Sequence, residues 1–109
     1  MSISAKSASR DLEQVVDRIV NAVHPLRIIV FGSAARGELA SGSDLDLMVV
    51  VPDGSHRRHT AQQLYMQMTG ILTPVDLVVV TVSDLERYSD VPGFVYREAL
   101  RDGKVVYAA

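Results

Sequence analysis

Two apolar runs with a polar segment between them constrain this chain more than any other feature. "RIIVF" (Arg27–Phe31) is short and nearly continuously apolar, the form of a strand covered on both faces. "DLDLMVVV" (Asp44–Val51) reads as a second strand, stopped by the turn signal Pro52-Asp53-Gly54. Between them lie Gly32-Ser33 and Arg36-Gly37, and the second run opens on Asp44-Leu45-Asp46. A strand core does not accept two carboxylates without a compensating partner. The pattern therefore asks for something positive, or something carrying phosphates, beside the start of the second strand.

The elements around this pair follow from periodicity. Leu12, Val15, Val16, Ile19, Val20 and Val23 recur at helical spacing, which predicts an amphipathic helix from about Arg10 to Val23, ended by His24-Pro25. The small polar residues before it are expected to fray. "SAARGEL" is a short helix or turn and "ASGS" a loop. "HRRHTAQQLYMQMT" predicts a helix with Leu64 and Met68 on one face and Gly70 as C-cap. "PVDLVVVTV" is a third strand. "SDLERYSD" begins a helix with Ser83 and Glu86 as a capping box. "FVYREALRDG" is a last helix and "KVVYA" a fourth strand. The order α-β-(α)-β-α-β-α-α-β gives an α/β (α+β) fold: one domain over residues 1–109, a small mixed sheet of about four strands flanked by helices.

Composition excludes several classes. The 109 residues suit one core, and 48% of them are apolar. The net charge of −2, with both signs interspersed, lacks the basic excess of a general nucleic-acid binder. There is no cysteine, hence no disulfide frame and no thiolate metal site. No apolar run approaches the roughly 20 residues that span a bilayer, and "MSISAKSASRDLEQ" has no apolar core of a secretory signal. A cytoplasmic protein without direct nucleic-acid or membrane contact is the expectation. The run His56-Arg57-Arg58-His59 reads as a solvated helix face.

Three pieces carry chemistry. Gly32-Ser33 ends a strand and opens a turn whose backbone amides could meet an anion, with a serine hydroxyl beside them; an ordinary strand-to-helix turn has the same form. Asp44 and Asp46 stand two apart, so a strand presents both on one face while Leu45 and Leu47 face the other way. Paired carboxylates repel unless a cation lies between them, and a hard divalent ion is the natural partner; an edge where both acids face water is the alternative. Asp76, alone in the apolar third strand, would join them if that strand pairs beside the second. Three carboxylates can hold two Mg²⁺, which clamp the attacking and leaving oxygens of a phosphoryl group, and Asp76 could accept the proton of an attacking hydroxyl. An anion cradle, metal ligands and a base in this order are what metal-assisted phosphoryl transfer needs.

"VFGSAARGELASGSDLDLMVV" closely resembles the signature of the DNA polymerase β-like nucleotidyltransferase superfamily, and its form "FGSxARG…SDxDL" is most similar to the minimal nucleotidyltransferase branch. The motif spans about a fifth of the chain; the order of elements, "VDLVVV" and the ending "VPGFVYREALRDGKVVY" extend the resemblance over most of it. The resemblance implies transfer of a nucleoside monophosphate, AMP from ATP being the expected case, to a hydroxyl with release of pyrophosphate and two Mg²⁺ as cofactors. It implies that Gly32 and Ser33 hold the phosphates, with Arg36 and Ser43 in the nucleotide-binding set. Arg36 could equally pair with Glu38 or Asp44. Asp44, Asp46 and Asp76 take the catalytic and metal-ligand places. It also implies a partner, since many members of this branch are antitoxins of a HEPN-domain RNase, and some adenylylate a tyrosine of that toxin. Larger relatives carry a helical domain for the acceptor, so here the acceptor is expected on another protein. The competing readings are an antitoxin that only occludes its partner, a small-molecule nucleotidyltransferase and a tRNA nucleotidyltransferase.

Overall fold

The computed structural model describes residues 3–35, 44–88 and 95–109. Its elements run α1 (Ile3–Val23), β1 (Arg27–Phe31), α2 (Gly32–Ala35), β2 (Leu45–Val51), α3 (Arg57–Met66), β3 (Val75–Thr81), α4 (Val82–Tyr88), α5 (Val95–Asp102) and β4 (Lys104–Ala108). The order is the one expected from the sequence. The strands form one four-stranded mixed sheet, β3-β2-β1-β4. β1 is antiparallel to both β2 and β4, while β2 and β3 are parallel. A parallel pair needs a crossover, and α3 supplies it.

Alternation along the central strands sends side chains to two apolar layers. Ile28, Val30, Leu47, Val49, Val51, Leu77 and Val79 pack with Val15 and Ile19 of α1 and Leu64 of α3. Ile29, Phe31, Met48, Val50 and Val80 pack with Ala99 of α5 and, at the rim, Val82 and Leu85 of α4. Both faces of β1 and β2 are therefore covered, which explains why their sequences read as continuous apolar runs.

Several boundaries differ from the periodicity. α1 starts at Ile3, so the small polar residues expected to fray continue the helix upstream of Arg10, ahead of the apolar stripe that begins at Leu12. Its end falls where expected: His24 takes a left-handed φ of 48° before Pro25, and its amide still reaches the Val20 carbonyl at 3.0 Å. α3 ends at Met66, with Gln67 rather than Gly70 as C-cap. The chain then tightens through Gln67 N–H to Leu64 O and Met68 N–H to Tyr65 O, and Gly70 serves the following turn with φ 87°. Leu64 and Met68 do share the buried side.

The capping box of α4 also shifts. Thr81 and Asp84 make it: the Thr81 amide donates to Asp84 Oδ2 at 3.1 Å and the Asp84 amide donates to Thr81 Oγ1 at 3.2 Å. Ser83 is engaged elsewhere, donating through its amide and hydroxyl to Asp53 at 3.0 and 2.6 Å. The His56–His59 run is exposed as expected, with His56 capping α3 by accepting the His59 amide at 3.1 Å.

Candidate active site

β1 ends at Phe31, and its partner across the antiparallel ladder is Asp46; Asp46 in turn stands level with Asp76 on β3. Asp46 thus sits between the end of one strand and the start of another, on the middle strand of the three. Its neighbours Leu45 and Leu47 are completely buried, Leu47 in the layer packed with α1 and α3. Asp46 points to the opposite face, whose continuation, Met48 and Val50, lies in the layer under α4 and α5. The acids hence occupy the end of a face that is otherwise apolar core. Asp46 is half-buried, and Asp44 and Asp76 are exposed. Asp44 precedes β2 by one residue.

Gly32 follows Phe31 with φ 70°, a left-handed conformation that an L side chain rarely adopts. Space gives a second reason for glycine. A Cβ there would overlap Oδ2 of Asp46 and lie 3.3 Å from its Cγ. The Gly-Ser turn and the second acid of the Asp-x-Asp pair are therefore packed directly on one another, although 13 residues separate Ser33 from Asp46 in sequence.

The remaining expected site residues stand as follows. Ser33 lies in the short α2, with its side chain outside the described residues, and Arg36 and Ser43 lie outside them altogether. Asp46 has an interaction partner. Among the described residues no three acidic or histidine side chains enclose a single ion position. Asp46 and Asp76 stand level by strand register and Asp44 precedes β2 by one residue, but the three carboxylates are not drawn onto one point, as three like charges would not be by themselves. The donor chemistry nonetheless fits Mg²⁺. All three offer hard carboxylate oxygens, two of them sit on exposed side chains able to turn inward, and the missing Cβ of Gly32 leaves the room that the Asp46 carboxylate occupies.

Two contacts that periodicity does not reveal bracket Asp76. Tyr65 of α3 accepts the Leu77 amide on its hydroxyl oxygen at 2.9 Å. Asp11 of α1 accepts the Thr73 amide at 3.2 Å on Oδ2, which also receives the Thr73 hydroxyl. Neither pairing has a local signature, since 62 residues separate Asp11 from Thr73. Of the C-terminal aromatic residues, Phe94 and the side chains of Tyr88 and Tyr96 lie outside the described residues.

Known proteins agree with this architecture. A candidate nucleotidyltransferase from Sulfolobus solfataricus, a crystal structure, superposes with a TM-score of 0.64 at 19% identity, over 96% of this chain and 86% of that one. A chain of a toxin-antitoxin crystal structure with AMP-PNP gives a TM-score of 0.59 at 22% identity, over 89% and 73%. A chain of the toxin-antitoxin MntA-HpeT, bearing Asp-to-Glu substitutions at two positions two residues apart, gives 0.61 at 18%, again over 89% and 73%. These likenesses are of fold. No curated protein matches the chain. The nucleotidyltransferase domain family matches residues 10–106, nearly the whole sequence. With the Gly-Ser turn, the Asp-x-Asp pair and the mixed sheet in their places, this chain belongs to the nucleotidyltransferase domain family.

Proposed function

We propose that this chain is a Mg²⁺-dependent nucleotidyltransferase, one minimal domain over residues 1–109, that moves AMP from ATP to a tyrosine hydroxyl of a HEPN-type RNase toxin in the cytoplasm and acts as its antitoxin. The observation that carries the reading is the register Phe31–Asp46–Asp76 with Gly32 against the Asp46 carboxylate. It supports a phosphate-holding turn and a carboxylate set acting on the same few ångströms of substrate.

In this mechanism the turn at Gly32 and Ser33, with Arg36 and Ser43, holds the triphosphate. Asp44, Asp46 and Asp76 would hold the metal. Bound there, Mg²⁺ supplies Lewis-acid stabilisation of the charge on the attacking and leaving oxygens. The acceptor oxygen forms a bond to the α-phosphorus, the bond from that phosphorus to the α–β bridging oxygen breaks, and pyrophosphate leaves. The hydroxyl proton passes to the Asp76 carboxylate. Exposure of Asp44 and Asp76 supports an acceptor that arrives on another protein. Two fold neighbours point to the same biology: one toxin-antitoxin structure was obtained with AMP-PNP, and MntA-HpeT was altered at an aspartate pair with the spacing of Asp44 and Asp46.

The test uses ATP labelled at the α- or the γ-phosphate, incubated with the protein, Mg²⁺ and the product of a neighbouring gene. The account expects label on the partner from α-labelled ATP alone, at a tyrosine. Label from γ-labelled ATP would mean kinase chemistry. Neutralisation of the partner without any label would mean occlusion.

A further inference from the structure

β3 is an edge strand, with β2 as its single neighbour. In the parallel ladder the amides of alternate residues turn inward and outward. The Leu45 amide donates to the Pro74 carbonyl at 2.9 Å, which fixes the phase. Leu77 and Thr81 therefore aim their amides away from the sheet, and each finds a side chain: Tyr65 for Leu77 and Asp84 for Thr81. The Tyr65 hydroxyl holds the peptide group that leaves Asp76. Three residues upstream of Asp76, the amide and hydroxyl of Thr73 are both tied to Asp11. An edge strand with one ladder would otherwise be the softest support in the site, and it carries an acid whose position relative to Asp46 matters.

We propose that Tyr65 and Asp11 are positioning residues for Asp76: by anchoring the Leu77 amide and Thr73 they hold the edge strand in the register that sets the Asp76 carboxylate beside Asp46. The inference rests on the reading of Asp76 as a metal ligand. It assigns a role to two residues on different helices that lie outside the proposed nucleotide and metal set. Asp84 offers an internal control, because it caps an outward amide of the same strand at the far end, five residues from Asp76.

The experiment is Mn²⁺ binding to the whole chain, followed by water-proton relaxation, for the wild type and the variants Tyr65→Phe, Asp11→Ala, Asp84→Ala and Asp76→Asn. Tyr65→Phe removes a single oxygen and keeps the ring, so folding is retained. Outer-shell partners of metal ligands typically contribute 10–100-fold to affinity. The expected result is a loss of about 10-fold in Mn²⁺ affinity for Tyr65→Phe and for Asp11→Ala, with Asp84→Ala unchanged. In the transfer assay, raising Mg²⁺ should restore the Tyr65→Phe rate, which a general loss of folded protein would not allow. If Asp76→Asn weakens Mn²⁺ binding and Tyr65→Phe does not, the positioning role is overturned while the site stands. If Asp76→Asn binds Mn²⁺ as the wild type does, the reading of Asp76 as a ligand fails, and the positioning role fails with it.

Discussion

Replacing Gly32 by alanine tests whether the turn and the acid pair are one structure. Two costs add at this position. A left-handed φ of 70° disfavours an L side chain by about 1–2 kcal/mol. The new Cβ would also overlap Oδ2 of Asp46, so the carboxylate must leave its place. Driving a side chain off its rotamer costs about 0.5–1.5 kcal/mol. The lower entropy of the unfolded alanine chain returns about 0.4–1 kcal/mol. The net is about 0.5–3 kcal/mol, centred near 2, or a fall of roughly 10 °C in melting temperature for a domain of this size.

Gly54 and Gly70 separate the two costs. Both have positive φ, 91° and 87°, and apart from the adjoining residues neither has an atom within 4 Å of an added Cβ. Their alanine variants bear the backbone cost alone, about 1 kcal/mol after the same entropy correction. Thermal melts of the three variants should rank Gly32→Ala as the least stable. In the α-label assay only Gly32→Ala should lose transfer, because only there is Asp46 displaced. A Gly32→Ala protein that melts with the Gly54→Ala protein and transfers label at the wild-type rate would refute the close approach on which the site rests.

Other outcomes follow from the packing and the charges. Leu64 is fully buried between α3 and the sheet, so Leu64→Ala should cost about 2–5 kcal/mol in urea denaturation; a cost under about 1 kcal/mol would mean that α3 is not docked as described. The Thr81 amide, then its hydroxyl and the Arg57 guanidinium at 3.0 Å, hold the Asp84 carboxyl below its ordinary 3.8. The Ser83 hydroxyl and amide do the same for Asp53. Carboxyls lowered on folding contribute stability above the unfolded value near 3.8, and that stability is lost as pH falls through the folded values. Melting temperatures measured from pH 7 down to pH 3 should therefore drop below about pH 4, and the double variant Asp53→Asn/Asp84→Asn should show a shallower drop. An unchanged slope would contradict the assignment.

Much of this architecture is legible in the sequence because burial on both faces leaves continuous apolar runs. "RIIVF" and "DLDLMVVV" are such runs, and their interruption by Asp44 and Asp46 is visible for the same reason. The spacing of Asp44 and Asp46 predicts a shared face for a strand that holds both, whereas β2 begins at Leu45, between them. What it does not report is the partner across the ladder. That Phe31, Asp46 and Asp76 stand level follows from strand order and register, which depend on contacts between residues far apart in sequence. The shift of the α4 cap has a similar origin. Ser83 and Glu86 satisfy the local pattern, but Asp53 takes Ser83, and Thr81 at the strand end pairs with Asp84 instead. Tyr65 and Asp11 were hidden for the same physical reason: an edge-strand amide and a strand-leading threonine recruit side chains from helices, and no periodicity records it.

The central claim is that the acid pair performs chemistry and is more than an inherited surface. The most direct measurement is transfer of AMP from α-labelled ATP to the proposed partner toxin by the wild type and by Asp44→Asn/Asp46→Asn, with toxin neutralisation scored in parallel. The account predicts a loss of transfer of about 100-fold or more in the double variant, with the fold kept and neutralisation lost together with transfer. Wild-type transfer by the double variant, or full neutralisation by a variant that transfers nothing, would contradict it.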